Sequence, residues 1–206
     1  MLRCLELFAG TGSVGRCFEA AQWDVVSVDI DKKARATLTM SVLDIPLEGY
    51  WPVGTFDFIW ASPPCTLYST ARTTGERIDM EEANLLTLHT CNLIKALNPK
   101  HWCVENPAGS AIWKLNCLKD LPYVVCSYCH YSDYGYRKNT RIANNILTWA
   151  PRLCKYDCQN LMEGMKRHIA TAQRGPAREG DKSFSQRQLY RIPPKLIEEM
   201  MQHLEV

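Results

Sequence analysis

Phe56-Asp57-Phe58-Ile59-Trp60-Ala61-Ser62-Pro63-Pro64-Cys65-Thr66 opens as an apolar run and closes on two prolines and a thiol. An apolar stretch of this length reads as a strand buried in a sheet core, and the prolines stop it because proline cannot donate to the ladder. They also stiffen the backbone where Cys65 emerges, at the carboxyl end of the strand. In an open parallel sheet that end carries the ligands and the chemistry. A structural cysteine after a strand is common, so the run gains meaning only from its neighbours.

Outward from it, strand and helix patterns alternate over the first two thirds of the chain. Residues 4–8 predict a strand, 9–15 a glycine-rich turn, and 15–21 a helix. A second strand is expected over 24–30, followed by a helix over 31–43 with Asp31 as its cap. The strand at 56–61 leads into a polar loop. An amphipathic helix over 81–97 follows, with Leu85, Leu88, Ile94 and Leu97 available for one face. Short strands are expected at 101–105, 123–128 and 142–147, and a last helix over 194–204 after the Pro193-Pro194 start signal. The rhythm implies a doubly wound α/β sheet.

The 206 residues suffice for one well-cored domain, with 46% apolar and 22% charged residues. A net charge of +2 is too small to argue for nucleic acid, so that case must rest on local patches. No stretch has the length of a membrane span, and a strand-like Leu2 to Phe8 stands where a signal peptide would. The ten cysteines therefore read as reduced intracellular thiols, or as metal ligands, rather than as a disulfide framework.

Four further features carry chemistry. Leu5-Glu6-Leu7-Phe8-Ala9-Gly10-Thr11-Gly12-Ser13-Val14-Gly15 puts small residues between a strand and a helix, where backbone can approach a ligand closely. The same pattern also makes a plain tight turn. Val28-Asp29-Ile30-Asp31 ends the second strand with an acid placed to grip ribose hydroxyls; Asp29 is the candidate, with Asp31 taken as the cap. Asp44-Ile45, at a third strand edge, can accept from an adenine amino group or be a surface turn before Pro46. Val104-Glu105-Asn106-Pro107 ends the His101 strand; if that strand neighbours the one at Phe56, Glu105 and Cys65 converge above the sheet. Cytosine is inert at C5 until a nucleophile adds at C6. A thiolate does that well when a carboxyl group hydrogen-bonds to, or protonates, ring N3.

In this order the Phe-Ala-Gly-Thr-Gly turn, Pro-Pro-Cys and Glu-Asn resemble the DNA cytosine-5 methyltransferases. Tyr134-Gly135-Tyr136-Arg137-Lys138-Asn139-Thr140-Arg141 resembles a later basic motif of that family, and residues 188–196 resemble its final motif. The resemblance spans residues 2–147 and 183–204. It implies a class I methyltransferase fold with a Rossmann-like sheet and S-adenosyl-methionine as donor. It places Phe8, Ala9, Gly10, Gly12, Asp29, Ile30, Asp44, Ile45 and Pro63 around that cofactor. It makes Cys65 the nucleophile, Glu105 the N3 partner, and Arg141 the group steadying base and glutamate, with Arg137 as the other candidate for that role. The chain departs from the family at Pro107, where valine is usual, and at Tyr190-Arg191, where the final motif lacks its Gly-Asn pair. It also departs in size. Residues 1–149 and 186–206 read as the catalytic domain, and only 150–185 remain for target recognition, a compactness that suits a virus or phage.

That short insert is basic and, with the residues just before it, rich in cysteine. Cys129, Cys154, Cys158 and His168 suit tetrahedral zinc, with Cys126 as a fifth candidate; free cysteines packed as small hydrophobes are the alternative. Lys166, Arg167, Arg174 and Arg178, with Arg72 and Arg77 after Cys65, can meet backbone phosphates or form a solvated face. The expected partner is DNA with the target cytosine flipped out, helped by closure of the loop at 69–77. Other readings are the same chemistry on transfer RNA, methylation of an exocyclic amine, and a non-catalytic nucleic-acid-binding protein. Cys65 stands where the amine enzymes carry an aromatic residue.

Overall fold

The computed structural model describes residues 1–68, 80–173 and 182–205. The expected closing loop, with Arg72 and Arg77, and the residues Arg174 and Arg178 lie outside the described residues.

Seven strands form one sheet: β1 (Arg3–Leu7), β2 (Asp24–Asp29), β3 (Leu38–Thr39), β4 (Phe58–Ala61), β5 (His101–Pro107), β6 (Tyr123–Ser127) and β8 (Asn139–Asn144). Their order is β3-β2-β1-β4-β5-β8-β6. All pairs from β3 to β5 are parallel, and β8 runs antiparallel between β5 and β6. The order reverses between β1 and β4, so a crevice opens above their carboxyl ends. β4 is buried at every position, which is why its sequence is continuously apolar rather than alternating.

The two faces hold separate cores. Ile59, Ala61 and Val104 pack on one side with helix α2 (Met80–Leu97). Phe58, Trp60, Cys103 and Ile142 pack on the other with helix α1 (Gly15–Ala20) and helix α4 (Pro194–Met201). A short pair, β7 (Tyr136–Arg137) and β9 (Ala170–Thr171), ties the insert to the end of the sheet. Helix α3 (Gln186–Tyr190) precedes α4.

Three expectations are corrected. The helix over 31–43 is absent. Asp31 caps a single 3-10 turn, accepting from Lys33 N–H at 2.9 Å, and Arg35 at φ 55° ends it. The run Thr37-Leu38-Thr39 then joins the sheet edge beside Val28 and Asp29, a place that suits β-branched residues. The buried side of α2 is Ala83, Thr87, Thr90, Cys91, Leu93, Ile94 and Leu97, whereas Leu85 and Leu88 are exposed. The helix is turned by Tyr68, whose hydroxyl donates to Ala83 O at 2.6 Å and pairs with Thr87 Oγ1 at 2.8 Å. Finally, the strand expected at 142–147 begins at Asn139 and ends at Asn144, whose side-chain oxygen accepts from Ile146 N–H. That shift settles which way residue 141 faces.

Candidate active site

The turn after β1 needs its glycines. Gly10 and Gly12 have φ of 51° and 64°, in the left-handed region. Gly10 N–H donates to Asp29 Oδ2 at 2.7 Å, and Asp29 Oδ1 accepts from Asp31 N–H at 2.7 Å. Glu6 is buried beneath α1 and accepts from Val14 and Gly15 N–H at 3.2 and 3.0 Å. Burial drives its carboxyl pKa up to about 7 against the pull of those two N–H groups. A Cβ on Gly15 would lie 2.6 Å from Glu6 Oε2, so no larger residue fits there unless that carboxylate moves.

Phe8, Gly10, Asp29 and Ile30 line one cavity of about 390 Å³, together with Met40, Val42, Leu43, Pro64, Leu86 and Tyr190. Its apolar walls and acidic edge suit a nucleoside better than the roomier groove of about 660 Å³ beside α1, where Arg16, Lys33, Arg35 and Arg187 gather. Ala9 and Gly12 face that groove. Pro63 lines a third, narrow pocket with Cys65. Asp44 and Ile45 line none of these cavities. The Asp44 carboxylate accepts from Ser41 N–H at 3.3 Å as part of a capping box, and Ile45 is fully buried. The wall at that edge is made by Ser41, Val42 and Leu43 instead. Leu43 was not foreseen, since an apolar residue there carries no signature of a ligand, whereas Tyr190 falls in the 188–196 stretch that resembles the family's final motif, at the place where the usual Gly-Asn pair is missing.

Cys65 follows β4 and Glu105 lies in β5, so the parallel pairing of those strands brings both to one end of the sheet. They share the narrow pocket with Asn106, Lys138, Tyr190 and Ile192. Asn106 Nδ2 donates to Pro63 O at 2.7 Å, tying the two loops together. Glu105 is buried; its Oε1 accepts from Tyr128 OH at 3.1 Å and from the Thr140 hydroxyl. Burial pushes the Cys65 thiol up, the nearby Lys138 cation opposes this, and Glu105 adds to it. A second cavity of about 340 Å³ opens from the same thiol, lined by Thr66, Pro107, Lys138, Ala172, Gln186, Leu189 and Tyr190.

Arg141 does not reach this site. Thr140 faces Glu105, so its neighbour in the strand points to the other face of the sheet. There the guanidinium stacks 3.6 Å from the Tyr123 ring centroid and 4.7 Å from that of Trp113. Arg137, the other candidate, donates to Asn139 and lies over Tyr156. Among the described residues the cation beside Cys65 is Lys138, held by a 3.1 Å bond to Leu189 O.

Cys129, Cys154, Cys158 and His168 come together, their ligand atoms all within 4.8 Å of one another. His168 Nε2 lies 3.3 Å from Cys158 Sγ and 3.6 Å from Cys154 Sγ. Cys126 instead lies buried in the α1–α4 core.

The model of C-5 cytosine-specific DNA methylases matches residues 2–111. The chain belongs to the C-5 cytosine-specific DNA methylase family. A relative in Frog virus 3 (isolate Goorha), described as "Probable DNA (cytosine-5)-methyltransferase", is 32% identical, the match spanning 97% of this chain and 99% of that one. Among solved structures, a protein from an E. coli prophage assigned to the DNA modification methyltransferases superposes with a TM-score of 0.52 at 19% identity. It covers 70% of this methylase, which spans 46% of that chain. The S. pombe Dnmt2 methyltransferase gives a TM-score of 0.47 at 16% identity, over 70% of this chain and 50% of its own. The methylase thus matches the viral relative along nearly its whole length and spans only about half of these solved structures. The expected fold class, a central sheet of the methyltransferase type, and the expected family both hold, and so does the assignment of the chain as a DNA cytosine-5 methyltransferase. Among its described residues no helix is long and apolar enough to cross a membrane.

Proposed function

We propose that this chain transfers a methyl group from S-adenosyl-methionine to C5 of a flipped-out cytosine in DNA, through a Cys65 adduct at C6. The observation carrying the reading is that Cys65, Glu105 and Lys138 line one pocket beside the crevice where the strand order reverses. The cofactor fits the residues present: the left-handed turn at Gly10 and Gly12 brings backbone close, Asp29 stands at the cavity edge, and Ile30, Leu43 and Leu86 offer apolar walls. Bound S-adenosyl-methionine supplies an electrophilic sulfonium methyl group. The chain's own residues do the rest. Lys138 favours the Cys65 thiolate, which bonds to C6 while Glu105 holds the ring at N3. C5 gains electron density and takes the methyl group, the broken C–S bond's electron pair staying on the donor's sulfur as a thioether. Loss of the C5 proton to solvent and departure of Cys65 as a thiolate then restore the ring.

Residues 1–149 and 186–206 act as the catalytic unit, and 150–185 as a reduced recognition element that limits the enzyme to a short target. A structural zinc ion held by Cys129, Cys154, Cys158 and His168 completes this reading. Mass spectrometry of nucleosides from DNA and transfer RNA, incubated with donor and either the native chain or Cys65→Ser, tests it. The expected product is 5-methylcytosine in DNA, lost with Cys65→Ser. The same product in RNA alone changes the substrate, and a methylated exocyclic amine overturns the nucleophile.

A further inference from the structure

Described residues 150–173 bury little apolar side chain of their own. Leu153, Tyr156, Met162, Met165 and Ile169 are exposed. The local core consists of Cys129, Cys154 and Cys158, with Leu161 against them. A segment of this kind cannot hold its shape by apolar burial and needs a staple. The donor set has the spacing of one. Zinc bonds of about 2.3 Å to sulfur and about 2.0 Å to nitrogen, at tetrahedral angles, put sulfur and nitrogen about 3.5 Å apart. The observed separations are 3.3 and 3.6 Å. One imidazole nitrogen offers a single lone pair or a single N–H, so a two-centre hydrogen bond accounts for one of the two sulfurs, whereas a shared metal ion accounts for both. Tyr156 N–H donates to Cys154 Sγ at 3.3 Å, as backbone does around a bound thiolate.

The staple sits beside the substrate pocket. Asn160, two residues after Cys158, donates to Cys129 O and Ser132 O and accepts from Gly135 N–H. β9 starts two residues after His168 and pairs with β7, and Ala170 N–H donates to Gly135 O at 2.8 Å. The next residues of these two strands are Lys138 and Ala172, and both line the 340 Å³ cavity over Cys65. No residue of 126–173 lines the cavity at Asp29 and Ile30.

Building on the zinc reading above, we propose that metal binding at Cys129, Cys154, Cys158 and His168 assembles the nucleic-acid wall of the active site and leaves the donor cavity untouched. The metal is a conditional part of the substrate pocket, acting through the β7–β9 pair on Lys138 and Ala172.

The test uses the full chain, with zinc measured by elemental analysis before and after treatment with a chelator under reducing conditions. Hydrogen exchange reads the wall, calorimetry reads S-adenosyl-methionine binding, and covalent trapping on a 5-fluorocytosine duplex reads substrate engagement. One zinc per chain is expected. Its removal should deprotect residues 129–138 and 153–172, leave 3–30 and donor affinity unchanged, and lower trapping by at least about tenfold, with zinc restoring it. Cys158→Ser should mimic removal, Cys158→His should retain metal and protection, and Cys17→Ser should change nothing. No bound metal after zinc addition overturns the proposal, as does metal whose removal leaves exchange in 129–138 and 153–172 unchanged. If the loaded chain traps no duplex, the methylase reading fails, and the exchange comparison still judges the metal's effect on the wall.

Discussion

Replacing Lys138 and Arg141 in turn by methionine separates the reacting site from its neighbour. Lys138 lowers and burial raises the Cys65 thiol, with burial the larger. Both groups are partly exposed, so solvent screens their attraction. Removing the cation raises the thiol pKa, which lowers the thiolate fraction at any pH below that pKa. The sign follows: Lys138→Met should methylate more slowly near neutral pH and approach the native rate as pH rises past the thiol pKa. Arg141→Met should keep the native rate. Its stacking on Tyr123 and Trp113 contributes about 1–2 kcal/mol, while its buried Nε and Nη2, without hydrogen-bond partners among the described residues, cost a similar amount, so stability should change little. Single-turnover methylation against pH, with Cys65 alkylation followed by peptide mass spectrometry, gives both measurements. A slow Arg141→Met with a normal Lys138→Met refutes the assignment. A Lys138→Met deficit that persists at every pH refutes the electrostatic account.

Two further outcomes follow from the turn after β1. Glu6 binds its proton more tightly folded than unfolded, with a pKa of about 7 against about 4.3 in the unfolded chain. Its contribution to stability is therefore present at low pH and is lost between these two values, by up to about 4 kcal/mol; denaturant titrations should show that slope, and Glu6→Gln should flatten it. Gly15→Ala should lower stability by about 2–3 kcal/mol, because the new methyl must displace the carboxylate that pairs Val14 and Gly15 N–H. Equal denaturation midpoints for Gly15→Ala and the native chain would disprove that steric argument.

The elements that were legible in the sequence are those whose pattern is local. A continuous apolar run marked β4 because both faces of the sheet are covered, shorter apolar stretches before Glu6 and Glu105 marked β1 and β5, and the Pro193-Pro194 start marked α4. The region after β2 was misread because Lys32 to Arg35 look helical, whereas Thr37 to Thr39 find a sheet edge that only the folded chain provides. Arg141 was misplaced for a related reason. A strand placed at 142–147 leaves residues 140 and 141 outside the sheet, and only the pairing of β8 with β5 decides which of them faces Glu105. Lys138 went unassigned because its place beside Cys65 depends on that register and on the return of residues 186–192.

Tyr190 has a consequence of its own. It lines the cavity at Asp29, the narrow pocket at Cys65 and the larger opening beside it, and its neighbour Leu189 holds Lys138 through its carbonyl. On the proposed function, donor and acceptor therefore lean on one partition. A ligand that fixes this partition spares the other ligand the entropy of ordering it, so each should tighten the other's binding by the same factor.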